Sequence, residues 1–499
     1  MAGSVLIGID LGTTVLKICA FDAQNGRLIS QAGRRLPLQS FPDGGQEQQI
    51  NSLHRAFQEA VTEVQNQLGT RWKSVAGIGL AAQGGSTIIA DRTSGKPLTP
   101  MILWNDGRSF RYARRLVEHS PAGTWRRFVL RDTPPSGLGR FVWLKETRPE
   151  LFREEHIHVG AGEYLFFQLT GVWRQDAGNA IQIGSYDAGK KRLDSALLDR
   201  VGVPLSFVAP LRRGHETSPL SPLGAKRLGL PAGIPVAGPY IDQEAGYLSA
   251  LGILSHPLQC SLGTAWVGNF VLPDDTTGYS PTQLVLPSPA GCGRLVVQPL
   301  LTGNPAWDWG LERFVNPDRV TAWAEAEAIF KKKIFPPAGL VCLPWFSQIN
   351  PLNGMTYGGG VLAGMSSQTS AGDLLRALAA GLVYELARMF HAVRNSGDID
   401  GVALGGGASK GFFFRRMIAG VFAPLPVFWQ VDEDLAVARG AVYAFHPMAA
   451  QSRLKRVPPP GGKILAELQS GLEHYTSVFN QFYHDSPAGA AFFYQERKR

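Results

Sequence analysis

The sequence is poor in cysteine, and its histidines show no metal-binding pattern. Four cysteines occur among 499 residues, far apart and without a Cys-x-x-Cys pair: Cys19, Cys260, Cys292 and Cys342. This usage argues against a small disulfide-stabilised scaffold and against the common zinc modules. Three of the four lie in apolar runs, so we expect them to be small, buried hydrophobic side chains in a reducing compartment.

The chain also lacks a long hydrophobic run. No apolar stretch reaches the roughly 18 residues that a membrane-spanning helix needs. The amino-terminal residues, MAGSVLIGID, have no basic segment and reach Asp10 before a signal-peptide core could form. We therefore expect a soluble cytoplasmic protein without a membrane partner.

Charged residues make up only 18% of the chain, with a net charge of +9. A positive balance is compatible with nucleic acid or with an anionic ligand as a partner. The densest basic runs, residues 111–115 and 331–333, have no nucleic-acid-binding module around them. We interpret the charge as a solvated basic surface and expect no nucleic-acid partner. A steep fall of binding with salt would be the sign of one.

The length is too great for one ordinary core and predicts two domains. We place them at residues 1–245 and 246–499. Apolar residues recur at helical spacing over 52–68 and in a run that begins at Asp373, while short apolar runs predict strands, so the class is α/β.

Two segments rich in proline and glycine interrupt these patterns. Residues 204–233 are interpreted as linker-like, and the break at 457–462 detaches a last helix at 463–482. The apolar residues 490–494 would form either a homodimer contact or a docked tail.

The first motif is the stretch GIDLGTTVLKICAFD, residues 8–22. Apolar runs at 5–9 and 15–21 predict two strands joined by a turn of small residues, and 27–32 predict a third strand after an Asn-Gly turn. Such a turn can bring N–H and O–H donors up to an anion, and Asp10 beside it can hold a metal ion or its waters. The alternative is a plain hairpin with a solvated aspartate.

The same pattern returns half a chain later, in LQCSLGTAWVGNFVL at residues 258–272. A strand, a turn that begins Gly263-Thr264, and a second strand repeat the order seen around Gly12-Thr13-Thr14. A repeat at this scale predicts two related domains rather than a solenoid, whose period is ~20–50 residues. Two facing turns of this kind could hold a nucleoside triphosphate between the domains.

A third glycine-rich element, GGGASK at residues 405–410, follows an apolar strand at 400–404 and precedes a helix at 413–422. This order suits a nucleotide, because bare backbone permits close approach and a helix N-terminus favours anions. The element is neither a Walker A loop nor a GxGxxG fingerprint. The alternative is a turn whose small residues serve packing alone.

The most pointed acidic residue is Asp242, in IPVAGPYIDQEAG at residues 234–246. It follows an apolar strand and precedes a helix of small residues. A carboxylate placed there, partly desolvated and facing a cleft, could accept a proton from a substrate hydroxyl. The alternative is an ordinary helix N-cap, for which aspartate is a preferred residue.

Together these motifs resemble the FGGY family of carbohydrate kinases over nearly the whole chain. GIDLGTTVLKICAFD and SLGTAWVGNF resemble its phosphate segments, ALGGGASKGFFFRRMIAGVFAPLPV its adenosine segment, and PVAGPYIDQEAGYLSALG the segment with the catalytic aspartate. GKPLTPMILWNDGRS, RFVWLKETRPELF and FFQLTGVWRQDAGNA resemble its substrate-side motifs. The resemblance implies two actin-like, ribonuclease-H-like ATPase domains with the active site in the cleft between them.

The resemblance also implies residue roles in an ATP-dependent kinase. Asp242 would take the proton from the acceptor hydroxyl, and Asp10 would hold Mg²⁺. ATP would be bound by Gly12, Thr13, Thr14, Lys17, Gly263, Thr264, Gly406, Gly407 and Ala408. The sugar or polyol would face Asp10, Gln83, Gly84, Trp104, Asn105, Asp106, Asp242 and Gln243.

Departures from the family pattern bear on the substrate. Gly84 and Gly85 stand where xylulose kinases carry Met-His and glycerol kinases Arg-Glu, so we expect a larger pocket. Ile241 and Pro239 replace glycines near Asp242, and FSQINP replaces the family's Gly-Glu-Arg-Thr-Pro segment. A ketopentose such as xylulose or ribulose is the first choice of substrate. The alternative function is a non-catalytic, nucleotide-binding sensor or scaffold of the same fold.

Overall fold

A computed structural model describes residues 4–252, 254–263, 265–280, 282–300, 302–346, 360–431, 435–447 and 454–483. In chain order the strands are β1 Val5–Leu11, β2 Val15–Asp22, β3 Leu28–Arg35, β4 Gln39–Ser40, β5 Gln46–Gln48, β6 Val75–Ala82, β7 Ile88–Asp91, β8 Met101–Ile102, β9 His156–Val159, β10 Tyr186–Asp187, β11 Arg192–Leu193, β12 Thr217–Pro219, β13 Pro235–Ile241, β14 Pro257–Leu262, β15 Trp266–Leu272, β16 Leu284–Pro287, β17 Arg294–Pro299, β18 Val341–Leu343, β19 Val361–Ala363, β20 Gly401–Gly405, β21 Val427–Gln430 and β22 Leu454–Arg456.

The helices lie between and around these strands. In chain order they are α1 Ile50–Leu68, α2 Phe110–Glu118, α3 Arg126–Val129, α4 Ser136–Thr147, α5 Ala161–Thr170, α6 Ala177–Gln182, α7 Ala196–Asp199, α8 Pro222–Leu228, α9 Asp242–Ala250, α10 Asn304–Phe314, α11 Arg319–Lys332, α12 Ala371–Met389, α13 His391–Ser396, α14 Phe412–Val421, α15 Ala436–Ala441 and α16 Gly462–Tyr483.

The amino-terminal half is built on a six-stranded sheet in the order β12-β13-β6-β1-β2-β3. The pairs β1–β2 and β2–β3 are antiparallel, whereas β1–β6 and β6–β13 are parallel. All residues of β1 are buried, because helices cover both faces of the sheet: α1 and α5 lie on one side and α15 on the other. A strand buried on both faces reads as a continuous apolar run, which is how β1 appears in the sequence.

The carboxy-terminal half repeats this arrangement. Its sheet has the order β22-β21-β20-β14-β15-β17-β16. The first six strands correspond, one for one, to β12-β13-β6-β1-β2-β3, with the same parallel and antiparallel pairs. The two predicted hairpins are therefore equivalent elements of two related sheets, as their shared sequence pattern indicated.

The structure corrects the sequence analysis in local detail. Asp10 and Leu11 belong to β1, so the first turn is only Gly12, Thr13 and Thr14. Helix α12 begins at Ala371, before Asp373, and Ser370 is its N-cap. The Asp373 carboxylate accepts a hydrogen bond from the Ser370 N–H at 3.0 Å. Residues 204–233 are not a plain linker, since they form β12 at the sheet edge and helix α8.

Other expectations from composition are met among the described residues. Cys19, Cys260 and Cys342 are buried, and burial raises the thiol pKa of Cys260 and Cys342; Cys292 is exposed. No helix in the described part of the chain is long and apolar enough to cross a membrane. The apolar residues 490–494 and most of the FSQINP segment lie outside the described residues.

Helix α15, from the carboxy-terminal half, packs directly on the first sheet and on α9. A Cβ on Gly8 would overlap the carbonyl oxygen of Ala438, and one on Gly79 would overlap that of Ala441. Gly8 and Gly79 pair across β1 and β6, so together they leave the space that the helix backbone fills. The predicted boundary at 245/246 falls inside α9, and its place stays a prediction.

We expect Gly79→Ala to destabilise the protein, because its methyl group would meet the backbone of α15, which cannot rotate away. Overpacking of this kind costs on the order of 1–3 kcal/mol of unfolding free energy. The control is Gly461→Ala, where a Cβ meets no atom within 4 Å. Thermal and urea unfolding measure both variants. Equal stability of the two would contradict this account of the contact.

Candidate active site

Three predicted site residues meet at one edge of the first sheet. Asp10 lies near the end of β1, Gln83 directly follows β6, and Asp242 directly follows β13. These strands are parallel neighbours, with Asp10 opposite Ala81 and Ala82 opposite Ile241. The carboxyl ends of parallel strands share an edge, and ligands of α/β folds commonly bind there. Gln83 is fixed by its N–H, which donates to the Leu11 carbonyl at 2.9 Å.

The Asp242 carboxyl is partly exposed but lies deep among protein atoms. Burial raises its pKa to about 7, and the charge of Asp10 is the next largest cause. A carboxyl with such a pKa can take up a proton near neutral pH. Asp242 is not the N-cap: Ile241 occupies that position, and Glu244 accepts the Ile241 N–H at 3.0 Å.

A buried pair of carboxyl groups supports Asp242 from behind. Burial is the main cause that raises the Glu244 pKa well above its ordinary value, and Asp176 raises it further. Burial raises the pKa of Asp176 as well, and the two carboxyl groups share a side-chain hydrogen bond, which requires one proton between them. Asp176 also caps α6 by accepting the Asn179 N–H at 3.0 Å. The pair thus joins the start of α9 to the start of α6.

The first predicted phosphate turn is connected to the predicted substrate side through Thr13. The Thr13 hydroxyl donates to Gln83 Oε1 at 3.1 Å and accepts from Trp104 Nε1 at 3.2 Å. Its carbonyl accepts from Gln48 Nε2 at 2.6 Å. The hydroxyl is therefore already engaged, and the Gly12 N–H donates to the Val15 carbonyl at 3.2 Å, whereas Thr14 is exposed. Lys17 on β2 lies opposite Asp10 on β1 in the strand register.

The second turn and the third glycine element are in direct contact. Gly406 has a φ of 85°, and a Cβ there would lie 2.6 Å from the Leu262 carbonyl carbon and 2.8 Å from Gly263 N. Only glycine fits this position, in both space and backbone conformation. A Cβ on Gly407 would meet no atom of the described residues within 4 Å, whereas Ala408 is fully buried in the core. Thr264 lies outside the described residues.

Asn304 is a residue of this region that the sequence analysis missed. It accepts from Trp266 Nε1 at 3.0 Å and donates weakly to the Leu262 carbonyl at 3.4 Å. It therefore holds the start of α10 against the second turn. No motif identifies it, because its partners lie on β15 and β14, 38 and 42 residues earlier in the chain.

The predicted larger pocket at Gly84 and Gly85 is not found, because Gln182 occupies the space beside them. A Cβ on Gly84 would lie 2.5 Å from Gln182 Nε2, and one on Gly85 would lie 2.8 Å from Gln182 Oε1. The other neighbours of these two glycines are Ile241 and Trp104. Sequence reasoning missed Gln182 because it lies almost 100 residues away, at the end of α6.

Asp106 does not face the site as predicted. It has no exposed surface, and its carboxylate accepts from the Gln46 N–H at 2.8 Å and from Arg108 Nη2 at 2.6 Å. Arg108 also binds Glu47 at 2.6 Å. Asp106 thus holds the loop after Trp104 in place, while the neighbouring Asn105 has a buried Oδ1 that has no hydrogen-bond partner among the described residues.

Arg140 is a third missed residue, and it joins the two loops of the substrate side. Its guanidinium is buried and donates to the carbonyls of Gly85 at 2.6 Å and Leu103 at 3.0 Å, and to Thr87 Oγ1 at 2.9 Å. Burial lowers its pKa to about 10, so it stays charged at neutral pH. It is the first residue of RFVWLKETRPELF, one of the motifs in which the resemblance lies.

Gln243 is engaged with the second half of the chain. Its Oε1 accepts from Asn269 Nδ2 at 2.9 Å, and the same nitrogen donates to Gln259 Oε1 at 2.6 Å. Asn269 and Gln259 are buried on β15 and β14. This chain of amide hydrogen bonds connects the residue after Asp242 to the second sheet, and so links the two halves of the chain.

With this geometry described, comparison with known proteins identifies the class. Residues 5–249 match the N-terminal domain of the FGGY family of carbohydrate kinases, and residues 303–445 match its C-terminal domain. These two matches cover most of the chain. The protein belongs to the FGGY family of carbohydrate kinases and is therefore a phosphotransferase.

Relatives in this family differ in the substrates their names give. A xylulose kinase of Staphylococcus epidermidis is 24% identical over 85% of this chain and 84% of its own. A glycerol kinase of Acaryochloris marina is 24% identical over 89% of each chain. The structure of a gluconate kinase from Lactobacillus acidophilus superposes with a TM-score of 0.80, at 20% identity, over 98% of this chain and 99% of its own. The family and the fold are thus shown, and the acceptor is not.

Glu163 is another buried carboxyl group, and its raised pKa can be tested through the pH dependence of stability. It is buried, it accepts the Gly160 N–H at 3.0 Å, and burial raises its pKa from an ordinary 4.5 to about 8. Between these values the folded chain holds a proton that the unfolded chain releases. The contribution to stability is therefore complete below pH 4.5 and is lost as the pH rises towards 8.

We expect the unfolding free energy of the wild type, relative to Glu163→Gln, to fall from pH 5 to pH 8. The slope has an upper limit of about 1.4 kcal/mol per pH unit. Glutamine keeps an oxygen for the Gly160 N–H but does not titrate. Thermal and urea unfolding at several pH values measure the difference. Parallel curves for the two proteins would mean that Glu163 does not titrate in this range.

Proposed function

We propose that the protein transfers the γ-phosphate of ATP to a hydroxyl of a small sugar or polyol, with Asp242 as the general base. The observation that carries the proposal is the meeting of Asp242, Asp10 and Gln83 at one sheet edge. In the transfer, the acceptor oxygen bonds to the γ-phosphorus while its proton passes to the Asp242 carboxylate. The bond between the γ-phosphorus and the oxygen of ADP breaks, and ADP leaves with that electron pair.

The donor set fits a bound Mg²⁺. The charges of Asp10 and Asp242 oppose one another, and a cation beside Asp10 would relieve that repulsion. No group of three or more potential ligand side chains occurs among the described residues. This agrees with Mg²⁺, which usually takes one or two carboxylates together with water and substrate phosphates. When bound it would neutralise charge on the transferring phosphoryl group.

ATP is proposed to lie between the two equivalent turns. The backbone N–H groups of Thr13 and Thr14, with Gly12, Lys17 and the turn at Gly263-Thr264, would bind its phosphates. Gly406 and Gly407 would leave room for the adenosine, with Ala408 packed in the core beneath them. Positioning and charge neutralisation then supply most of the rate enhancement, and exclusion of water limits wasteful hydrolysis.

The proposed acceptor is a ketopentose such as xylulose or ribulose. Trp104 and Asn105 would line its site, together with Gln83, Gly84 and Asp242. The support is the Trp104-Asn105 pair, which resembles the sugar kinases of the family more than its glycerol kinases, and several relatives that are named xylulose kinases. The Asp242-Gln243 pair, by contrast, resembles that of the glycerol kinases more. The domains are proposed to divide at 245/246, inside α9, with catalysis in the cleft between them.

The test is ADP release from Mg-ATP across ketopentoses, aldoses, polyols, aldonates and glycerol. We expect strong turnover with one class of acceptor and a loss in Asp242→Asn by a factor on the order of 10²–10⁴, because the amide cannot accept the proton. The control is Asp275→Asn, which makes the same change at an exposed residue.

Two outcomes would contradict the proposal. Near-normal turnover in Asp242→Asn would remove the general-base assignment. ATP binding by the wild type without turnover on any acceptor would favour the non-catalytic sensor or scaffold instead.

A further inference from the structure

Gln182 replaces, from a different element, the side chains that Gly84 and Gly85 do not have. Its amide nitrogen and oxygen lie 2.5 Å and 3.2 Å from where a Cβ of Gly84 would be, and its oxygen lies 2.8 Å from that of Gly85. Ile241, the residue before Asp242, borders the same space, with its Cγ2 at 3.2 Å from the Gly84 position. The amide therefore stands between the substrate loop and the start of α9.

The orientation of this amide is fixed. Gln182 Nε2 donates to the Gly178 carbonyl at 2.9 Å, one turn back along α6. Helix α6 is in turn capped by Asp176, which is bound to Glu244 at the start of α9. The nitrogen is thus turned towards its own helix, and Oε1 accepts no hydrogen bond from the described residues. The residue keeps part of its surface exposed.

We propose that Gln182 determines acceptor specificity by presenting Oε1 as a hydrogen-bond acceptor to a hydroxyl of the substrate. This deepens the proposed function, on which it rests. An amide oxygen accepts from hydroxyl groups but repels carboxylates, and Asp10 and Asp242 add negative charge nearby. The site therefore selects neutral ketoses and polyols over aldonates. Gln182 also fills the space that the two glycines open, so the subsite is compact.

The first test separates the hydrogen bond from the volume. Gln182→Met keeps a side chain of similar length but has no amide oxygen. We expect the KM for the best neutral acceptor to rise about tenfold, with kcat and the KM for ATP nearly unchanged, since the lost contact is made equally in the ground state and the transition state. The preference for neutral acceptors over aldonates falls by the same factor. Unchanged KM and preference would overturn the proposal.

The second test uses the contact between Gln182 and Gly84. Gly84→Ala alone is expected to raise the KM for the acceptor, because its methyl group meets the amide of Gln182. In a Gln182→Gly background the same change should cost little further, so the double variant binds the acceptor about as well as Gln182→Gly alone does. Gly85 is left unchanged, because its φ of 72° disfavours any side chain. If the effects of Gly84→Ala and Gln182→Gly on the KM for the acceptor were additive, the two side chains would not share one space.

Calorimetric titration of the acceptors without ATP distinguishes failure of this inference from failure of the proposed function. If the wild type binds an acceptor but does not phosphorylate it, the kinase proposal fails, and the Gln182 variants are still judged by their dissociation constants. If turnover occurs and Gln182→Met discriminates like the wild type, only the role of Gln182 fails. If the wild type binds none of the acceptors, the proposed subsite is wrong.

Discussion

The parallel pairing of β6 with β1 and with β13 is the constraint on which the rest of the structure depends. It brings Asp10, Gln83 and Asp242 to one edge, although they are distant in sequence. Gly8 lies two residues before Asp10 on β1, so both face the same side of the sheet, and this is the side on which α15 packs. The pairing of these three strands therefore positions the candidate site residues. It also positions the sheet face on which α15, from the other half of the chain, packs.

Buried negative charge is the second feature of the site. Asp10 and Asp242 oppose one another, while Glu244 and Asp176 share a hydrogen bond that requires one proton between them. An arrangement of this kind stabilises neither the fold nor the empty site, because desolvated carboxylates are costly. It is suited to a site that receives a cation and a proton. The nearby Gln243–Asn269–Gln259 amides, which are neutral, hold the two halves together without adding charge.

The substrate side is shaped by side chains from several elements rather than by its loop alone. The Arg140 guanidinium donates to the carbonyls of both Gly85 and Leu103, so it holds the two loops at a fixed distance from each other. Thr13 joins the loop side to the first turn through Gln83 and Trp104. Gln182 then occupies the space that the glycine pair leaves. A polar group from another element thus lies beside the two positions at which the loop has no side chains.

The sequence by itself determined the strands of the two hairpins, the two equivalent turns that join them, and the α/β class. It also determined the position of Asp242 after a buried strand. These features depend on hydrophobic periodicity and turn chemistry, which act over a few neighbouring residues. Only the tertiary structure decided that Asp106 is buried against Arg108, that the Thr13 hydroxyl is engaged, and that Gln182 closes the expected pocket. Each of these is a contact between side chains from separate elements. Their meeting depends on how helices and strands pack, which no local pattern of residues encodes.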